Sequence, residues 1–454
     1  MNKSSLSLCM IVKNEAESLA DCLQSVQNIA DQIVIVDTGS SDETISIAEN
    51  FGAEVYNFKW QNHFAKARNH SIRYANGDWI LWMDADEELM PESQEILINL
   101  LKNEYRPVAY KIQIQNLQKD QKTVIISDAH RLFTNNHGIR FSGRIHEQIS
   151  PSIKNLGGEI RNSNVNIFHK GYSFTDERES KKQSRNKKLL IKMVEEEPDN
   201  AYAHYTLGQF YGMNDKHKKA VKHYKKAYQI DSLPTNMTAS LLNVLGEELF
   251  KQNKYIEAEN YIEKSVKITE RQVAAFYINY KLAQARHETE SAIHNLKTIL
   301  KNSRLIQNSG KKISTDVLID SDKILNVIGE LYASQENFIE AEEFFNKARK
   351  KNNKNKRVQK NLIKLAIQSS NWQRLKDLLN FRNWDDSDLD FFHKQAKLLI
   401  KRGQYKIALL FYEQILAIDA DNILAIKRKA GLFVKTGQKR KAKELVIKLQ
   451  KLKQ

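Results

Sequence analysis

Two carboxylates follow directly on an apolar segment of the chain. Residues 79–83 read WILWM, and Asp84 and Asp86 come next. A buried strand would account for WILWM, and residues i and i+2 of a strand share one face, so we expect both carboxylates to point the same way at a sheet edge. Carboxylate oxygens are ligands that Mg²⁺ and Mn²⁺ prefer. The pattern favours a divalent-cation site, and a solvated acidic turn is the alternative.

The Asp-x-Asp spacing does not by itself decide between these interpretations. It recurs at residues 320/322, 386/388, 388/390 and 419/421, and a highly charged chain produces such triplets by chance. The recurrences lie in polar sequence of helical character, whereas Asp84 follows a strand-like segment. The sequence around Asp84 is therefore needed to separate the two.

The composition excludes several classes of protein. No stretch of the 454 residues is apolar over the roughly 18 to 20 residues of a membrane-spanning helix. The apolar N-terminal segment reaches Lys13 without a cleavage site, so we expect no signal peptide. The two cysteines, Cys9 and Cys22, do not make a disulfide framework. These observations predict a cytoplasmic protein.

The formal net charge of +16 is unevenly distributed. Residues 1–180 hold 18 Lys/Arg against 24 Asp/Glu, and residues 181–454 hold 53 against 31. Such asymmetry suggests two functions, with a basic second half suited to an acidic partner. A lysine-rich, solvated helical surface is the alternative explanation.

The first half alternates strand-like and helix-like segments. Strands are predicted at SLSLCMIV, QIVIVD, EVYNF and DWILWMD, with helices between them and a capping box at Ser40-x-x-Glu43. This order predicts a parallel sheet, which binds ligands beyond the carboxyl ends of its strands, where Asp37 and Asp84 both lie. The later segments VAYKIQIQN, KTVIIS, HRLFTN and NVNIFH are predicted to extend the sheet with antiparallel strands.

The second half repeats with a period of about 34 residues. Small and aromatic residues recur where a tetratricopeptide repeat requires them, most clearly at 201–234, 239–272, 322–355, 389–422 and 423–454. Segments 273–305 and 356–388 have helical character but a degenerate pattern. We therefore predict an α/β domain over residues 1–180 and an α-solenoid over residues 181–454.

Several cofactor and metalloenzyme motifs do not occur in the sequence. No two glycines are separated by a single residue, so the dinucleotide fingerprint is missing. GIRFSGRI, residues 138–145, has the glycine spacing of a phosphate loop without its Lys and Ser/Thr. His146-Glu147 is not followed by the second histidine of His-Glu-x-x-His.

Six blocks occur in a fixed order over residues 5–190: SLCMIVKNEAESLADCLQSV, IVIVDTGSSDET, FKWQNHFAKARNHSI, GDWILWMDADEEL, HRLFTNNHGIRFSGRIHEQI and IFHKGYS. Together they resemble a family 2 glycosyltransferase with the Rossmann-like mixed sheet of the GT-A fold, here joined to tetratricopeptide repeats. The pattern from Trp60 to Asn69, with Phe141-x-Gly143, His146-Glu147 and His169-x-Gly171, is similar to the sublancin-type peptide S-glycosyltransferases of bacteriocin pathways.

The resemblance implies roles for named residues. The donor would be a uridine diphosphate sugar whose diphosphate is bridged by Mn²⁺ or Mg²⁺. Asp84, Asp86 and His169 would be the metal ligands, with Asp84 also near the ribose. Asn14, Glu15, Asp37, Arg68 and Asn69 would contact the donor. Structural alternatives are helix capping for Asp37, a polar helix face for Arg68 and Asn69, and a structural histidine at 169.

Inverting transfer requires a general base on the acceptor. The resemblance implies Glu147 or His146 for this role, although the Glu-Asp pair that is usual in inverting relatives does not occur here. A cysteine thiol, with a pKa near 8.5, would need less help than a serine or threonine hydroxyl.

The resulting hypothesis is a hexosyltransferase that acts on a peptide, with an acidic acceptor held on the basic repeats. We expect no nucleic-acid partner, and a homodimer is compatible with the sequence. Two alternatives stay open: transfer to surface glycan or lipid precursors, and a non-catalytic scaffold whose transferase half has lost activity.

Overall fold

The computed structural model describes residues 4–117, 124–135, 137–170, 176–309 and 320–452. Within these ranges no helix is long and apolar enough to span a membrane. The chain divides into two compact units, residues 1–234 and 235–454. The domain boundary predicted at residue 180 stays a prediction, and the first repeat, 201–234, lies in the first unit.

The first unit is built on a mixed sheet of eight strands in the order β3-β2-β1-β4-β7-β6-β8-β5. The strands are β1 (Leu6–Val12), β2 (Gln32–Asp37), β3 (Glu54–Asn57), β4 (Trp79–Trp82), β5 (Glu87–Leu89), β6 (Val108–Leu117), β7 (Val124–Thr134) and β8 (Glu159–His169). Strands β1 to β4 are mutually parallel, as predicted. The α/β fold class with a following helical domain is thereby confirmed.

Helices cover the sheet because its central strands are apolar on both faces. The helices of this layer are α1 (Leu19–Val26), α2 (Thr44–Asn50), α3 (Phe64–Ile72), α4 (Pro91–Leu100) and α5 (Ser150–Asn155). Leu8 and Met10 of β1 belong to one apolar cluster, and Cys9 belongs to another, so both faces of that strand are buried. This packing fixes the carboxyl ends of β1, β2 and β4 beside one another.

The later strands differ from their predicted arrangement in two respects. Residues 124–127 of KTVIIS and 130–134 of HRLFTN belong to one long strand, β7, which pairs antiparallel with β4 and β6, and residues 122–123 lie outside the described ranges. Strand β8 pairs parallel with β6, where an antiparallel strand was expected. Pairing direction depends on how the connection crosses the sheet, which apolar alternation does not encode.

Helices follow the sheet from Asp176 onward. In the first unit they are α6 (Asp176–Glu196), α7 (Ala201–Met213) and α8 (His217–Ile230). The second unit contains α9 (Thr235–Lys251), α10 (Tyr255–Ile268), α11 (Ala274–Ala285), α12 (Thr289–Ser309), α13 (Ser321–Ser334), α14 (Phe338–Lys351), α15 (Lys356–Gln368), α16 (Trp372–Leu379), α17 (Leu389–Lys401), α18 (Tyr405–Ile418), α19 (Ile423–Lys435) and α20 (Lys439–Lys451). The predicted repeats, including the degenerate ones, therefore fold as helix pairs.

Close packing of the paired helices explains the recurrent glycine of the repeat. A Cβ atom at Gly208 would lie 2.5 Å from the Tyr224 ring, and one at Gly329 would lie 2.6 Å from the Phe345 ring. In each pair the aromatic side chain of the second helix rests on the backbone of the first. Successive first helices also contact one another, α9 with α11 and α13 with α15.

Candidate active site

Arg68 joins two of the predicted site residues, Asp84 and Glu147. It lies on α3, is buried, and donates from Nη2 to Asp84 Oδ1 at 2.6 Å and from Nε to Glu147 Oε1 at 2.5 Å. Because a guanidinium group presents its donors in a fixed plane, one arginine can orient two carboxylates. Arg68 thus binds one carboxylate 16 positions away in sequence and another 79 positions away.

Arg131 on β7 is a second buried arginine, and the sequence analysis did not identify it. Its Nη2 atom lies 2.5 Å from Glu87 Oε1 and 3.3 Å from Asp84 Oδ2. The guanidinium groups of Arg131 and Arg68 also lie over the Trp82 ring, at 3.5 Å and 3.9 Å from its centroid. The one available signal was an arginine inside a segment, HRLFT, that is otherwise typical of a buried strand.

The two arginines determine the charge state of the carboxylates beside them. Burial raises the pKa of Asp84, but the guanidinium groups of Arg68 and Arg131 more than offset it and hold that pKa well below its usual range. For Glu87, burial dominates and raises the pKa, and the neighbouring Asp84 adds to the effect while Arg131 opposes it. The two arginines therefore favour the charged form of Asp84.

Three guanidinium nitrogens of this cluster lack a hydrogen-bond acceptor within the described part of the chain: Arg68 Nη1, Arg131 Nε and Arg131 Nη1. Buried donors are almost always paired. Both groups stack on Trp82, so the face of the indole ring offsets part of the cost of burying them.

Asp86 and His169 meet on the other side of the Asp-x-Asp turn. Strand β4 ends at Trp82, so the side chains of Asp84 and Asp86 do not follow the alternating directions of a strand. The expectation that the two carboxylates point the same way is wrong. Asp84 faces the two arginines, whereas Asp86 Oδ2 lies 3.0 Å from His169 Nε2. The pairing of β5 with β8 brings the histidine there, since Glu87 is the register partner of His169.

Both ring nitrogens of His169 face hydrogen-bond acceptors. The Asn116 amide nitrogen donates to Ile114 O and Ser127 Oγ, and its amide oxygen lies 2.9 Å from His169 Nδ1. Nδ1 donates to this oxygen, and in the protonated ring Nε2 donates to the Asp86 carboxylate. Hydrogen bonding to Asp86 raises the pKa of His169, partly opposed by burial. No group of three or more His, Cys, Asp or Glu side chains in the described ranges could by itself hold a metal ion.

Asp37, Asn14 and Glu15 lie together at the carboxyl ends of β1 and β2. Asp37 is buried and its carboxylate accepts from the backbone N–H groups of Gly39 and Ser40, at 2.9 and 3.0 Å. Asn14 has a positive φ of 56°, and its side chain accepts from Ser41 N at 2.8 Å. The Glu15 N–H donates to Thr44 Oγ1 at 2.8 Å.

The capping box predicted at Ser40 and Glu43 is wrong. Helix α2 begins at Thr44, and the N–H of that residue donates to the Asp42 carboxylate at 3.1 Å. The Ser40 hydroxyl instead accepts from Asn14 N at 2.9 Å. The serine thus ties the end of β1 to the loop after β2 and does not cap a helix.

Asn69 and His146 take backbone roles in the segment that carries Glu147. The Asn69 amide makes two hydrogen bonds of 2.8 Å with the backbone N–H and C=O of Phe141. His146 has a φ of 54°, and its side chain is exposed. Both were predicted to contact substrate, and those contacts stay predictions. The structure brings Arg68 into contact with both Asp84 and Glu147, and Asp86 into contact with His169.

Comparisons with known proteins match the two parts of the chain separately. Residues 7–151 match the family model described as Glycosyl transferase family 2, and residues 199–271 and 322–349 match models described as Tetratricopeptide repeat. A TPR repeat-containing protein of Synechococcus elongatus is 35% identical over 209 residues, which is 45% of this chain and 51% of that protein.

A second relative is the SPbeta prophage-derived glycosyltransferase SunS of Bacillus subtilis, 26% identical over 266 residues, or 56% of this chain and 61% of that protein. The chain therefore spans between half and two thirds of the length of these curated relatives. A tetratricopeptide repeat protein from Parabacteroides merdae has a crystal structure that aligns with a TM-score of 0.36 at 18% identity, over 56% of this chain and 93% of that one.

Proposed function

The chain joins a family 2 glycosyltransferase domain to tetratricopeptide repeats, and we propose that it transfers a hexose from a uridine diphosphate sugar to the side chain of a peptide. The observation that carries the proposal is the Arg68 contact with both Asp84 and Glu147 at the carboxyl ends of the parallel strands. That edge is where open α/β sheets bind their ligands.

The donor would bind across two groups of residues. Asp37, Asn14 and Glu15 are proposed for the uridine end, because they line the ends of β1 and β2. Arg68 and Asp84 are proposed for the diphosphate and ribose. Asn69 is proposed near the donor only through the Phe141 backbone that it holds.

A divalent cation, Mn²⁺ or Mg²⁺, fits beside Asp86 and His169. If the cation replaced the proton on Nε2, the ring would keep its other proton on Nδ1, and Nε2 would offer a lone pair next to a carboxylate oxygen. Mg²⁺ is usually held by one or two carboxylates together with substrate phosphates and waters, so two protein ligands suffice for an open site. Both Asp84 oxygens already accept from arginines, and its role as a third ligand stays a prediction. When bound, the cation offsets negative charge on the leaving diphosphate.

The transfer step is proposed as an inverting single displacement. The acceptor S–H or O–H gives its proton to the Glu147 carboxylate, the acceptor atom forms a bond to the anomeric carbon, and the bond from that carbon to the diphosphate breaks. Arg68 holds Glu147 Oε1, which orients the carboxylate. His146, adjacent to Glu147, is the second candidate for the base.

The peptide acceptor is proposed from the repeats and their charge. Tetratricopeptide repeats present extended surfaces suited to chains, and residues 181–454 carry an excess of basic residues. The lysines that crowd the first repeat lie on α8, where Lys218, Lys219, Lys222 and Lys226 are exposed. An acidic peptide is the partner that this surface favours.

The test is incubation of the full chain with a panel of uridine diphosphate sugars, Mn²⁺, and acidic peptides containing Cys, Ser or Thr. Release of uridine diphosphate together with a hexose mass increment on the peptide would support the proposal. Donor turnover without peptide modification would favour a glycan or lipid acceptor. If calorimetry detects no binding of uridine diphosphate with Mn²⁺, the chain is a non-catalytic scaffold and the proposal fails.

A further inference from the structure

The loop from Phe141 to Ile149 carries Glu147 in an unusual backbone conformation. Ser142 and Gln148 close it with two backbone hydrogen bonds of 2.9 Å. Between them Gly143 has a φ of 96° and His146 a φ of 54°. A left-handed conformation costs free energy for a residue other than glycine, and such residues concentrate at functional sites. Contacts around the loop are therefore needed to offset the cost at His146.

One set of contacts comes from the glycosyltransferase domain. The Asn69 amide pairs with the backbone of Phe141 at the start of the loop. The Arg144 carbonyl accepts from Phe64 N at 2.8 Å, and Arg144 Nη1 donates to Asn62 O at 2.7 Å. These contacts hold the first half of the loop and leave the peptide group between His146 and Glu147 to other partners.

A second set comes from the helices that lead into the repeats. Glu196, the last residue of α6, accepts from Arg144 Nε at 3.0 Å and from its Nη2. Tyr202, on the first turn of α7, donates its hydroxyl to His146 O at 3.3 Å. That tyrosine is fixed in turn, because the Asn200 side chain caps α7 by accepting from Ala203 N at 3.1 Å.

We infer that Tyr202 is a positioning residue for Glu147. The first tetratricopeptide repeat, which contains Tyr202, would then contribute to the transfer step. This inference rests on the proposed function of Glu147. The carbonyl that Tyr202 binds belongs to the peptide group joining His146 to Glu147, and its orientation sets the direction in which the Glu147 side chain leaves the backbone. Glu147 then meets Arg68 from a fixed position.

A purely structural role for Tyr202 would have different consequences. It would lower the stability of the protein without changing the chemical step. A positioning role acts through Glu147 alone, so losing the hydroxyl should lower kcat and leave the KM for the donor sugar unchanged. The donor contacts proposed at Asp37, Asn14 and Glu15 lie on other elements. Arg68, which is proposed for the diphosphate, keeps its ion pair with Asp84 when Glu147 moves.

The experiment uses the full chain with Tyr202→Phe, which removes only the hydroxyl. Tyr255→Phe is the matched control, because its hydroxyl bonds Asn253 within the second unit. We expect Tyr202→Phe to lower the kcat of peptide modification roughly tenfold with a donor KM within about twofold of wild type, and Tyr255→Phe to change neither. The melting temperatures should match, which shows that the variants are folded.

Two further measurements make the result decisive. In a Glu147→Gln background, Tyr202→Phe should cause no additional loss, since both changes act on the same carboxylate. Amide exchange in residues 141–149 should be faster in Tyr202→Phe than in wild type. An additional tenfold loss in the double variant, or unchanged kcat and exchange in the single variant, would overturn the inference. An inactive wild-type chain would instead refute the proposed function, and exchange would still report whether Tyr202 holds the loop.

Discussion

Asp86 and His169 face each other at 3.0 Å between carboxylate Oδ2 and imidazole Nε2, although 83 residues separate them in sequence. Asn116 holds the far side of the same ring, so the histidine presents a defined nitrogen to the carboxylate. If these two residues hold the proposed cation, Asn116 would orient the histidine, as a second hydrogen-bond partner does in metal sites.

Removing Asp86 should therefore abolish turnover of the donor while the fold survives, because Asp86 lies in a turn at the sheet edge. We expect Asp86→Ala and His169→Ala each to lose Mn²⁺-dependent binding of uridine diphosphate, measured by calorimetry, and to lose donor hydrolysis. Asp386→Ala is the control, since Asp386 belongs to another Asp-x-Asp triplet and is exposed. Full activity of Asp86→Ala, or of wild type in EDTA, would refute the metal site.

Glu147→Gln keeps the size and the hydrogen-bonding oxygen of the side chain but removes its capacity to take a proton. We expect transfer to fall by roughly 10² to 10⁴-fold, the usual contribution of a positioned base, with nucleotide binding unchanged. With a thiol acceptor the loss should shrink as the pH approaches the thiol pKa near 8.5. A loss below about tenfold would move the role to His146.

Much of this site could be predicted because it depends on local pattern. The predicted apolar segments form strands β1, β2 and β4, and Asp37 is the last residue of β2, as expected. The different directions of the Asp84 and Asp86 side chains could not be predicted, because β4 ends at Trp82. Beyond that point Asp84 pairs with an arginine and Asp86 with a histidine, and both partners are distant in sequence.

Long-range contacts account for the remaining differences. Arg131 was overlooked because a charged residue in a strand is normally taken to face solvent, whereas β7 is buried on both faces beside β4. Asn69 and Phe141 are 72 positions apart, and no spacing rule links them. Tyr202 lies inside a repeat, where an aromatic residue is expected for packing alone.

Removing one partner of the Arg131–Glu87 pair should destabilise the protein far more than replacing both partners. The two side chains are 7% and 3% exposed, so Arg131→Met leaves a buried carboxylate without its cation. We expect a loss of roughly 3 kcal/mol or more, and recovery of most of it in Arg131→Met/Glu87→Met, because a buried pair can be replaced by apolar side chains at little cost. Calorimetric melting of the single and double variants measures the loss of stability and its recovery.

Arg161→Met supplies the comparison for that experiment. Arg161 also pairs with glutamates, Glu104 and Glu159, but its side chain is 28% exposed. Its loss should lower stability by no more than about 1 kcal/mol, as for solvent-screened pairs. Equal losses at Arg131 and Arg161 would show that burial does not distinguish them.

The histidine pair of the first repeat should make stability depend on pH. His204 Nδ1 lies 3.0 Å from His223 Nδ1, and His204 Nε2 lies 3.0 Å from Pro198 O. Burial lowers the pKa of His223 to about 4, and His204 and Lys222 add to the effect. The neutral ring is thus favoured in the folded chain, whereas the unfolded chain takes up a proton near pH 6.5.

Stability from this pair is therefore fully present above about pH 6.5 and is lost as the pH falls from 6.5 towards 4. We expect the melting temperature of wild type to decrease over that range more steeply than that of His223→Gln. His294→Gln, which changes an exposed histidine, should follow wild type. Parallel curves for wild type and His223→Gln would contradict the assignment.

The last prediction concerns the basic repeats and tests what the solenoid binds. If an acidic acceptor is attracted by the exposed lysines of α8, raising the salt from about 50 to 500 mM should raise the acceptor KM and leave the donor KM unchanged, since screening lengths fall from about 10 Å at 0.1 M to 3 Å at 1 M. Lys218→Glu/Lys222→Glu should raise the acceptor KM at low salt and flatten its salt dependence, because attraction becomes repulsion. Lys439→Glu/Lys443→Glu, two charge reversals at the same spacing on α20, is the matched control. A salt-independent acceptor KM, or equal effects of the α8 and α20 reversals, would mean that α8 does not capture the peptide and that its lysines form a solvated surface.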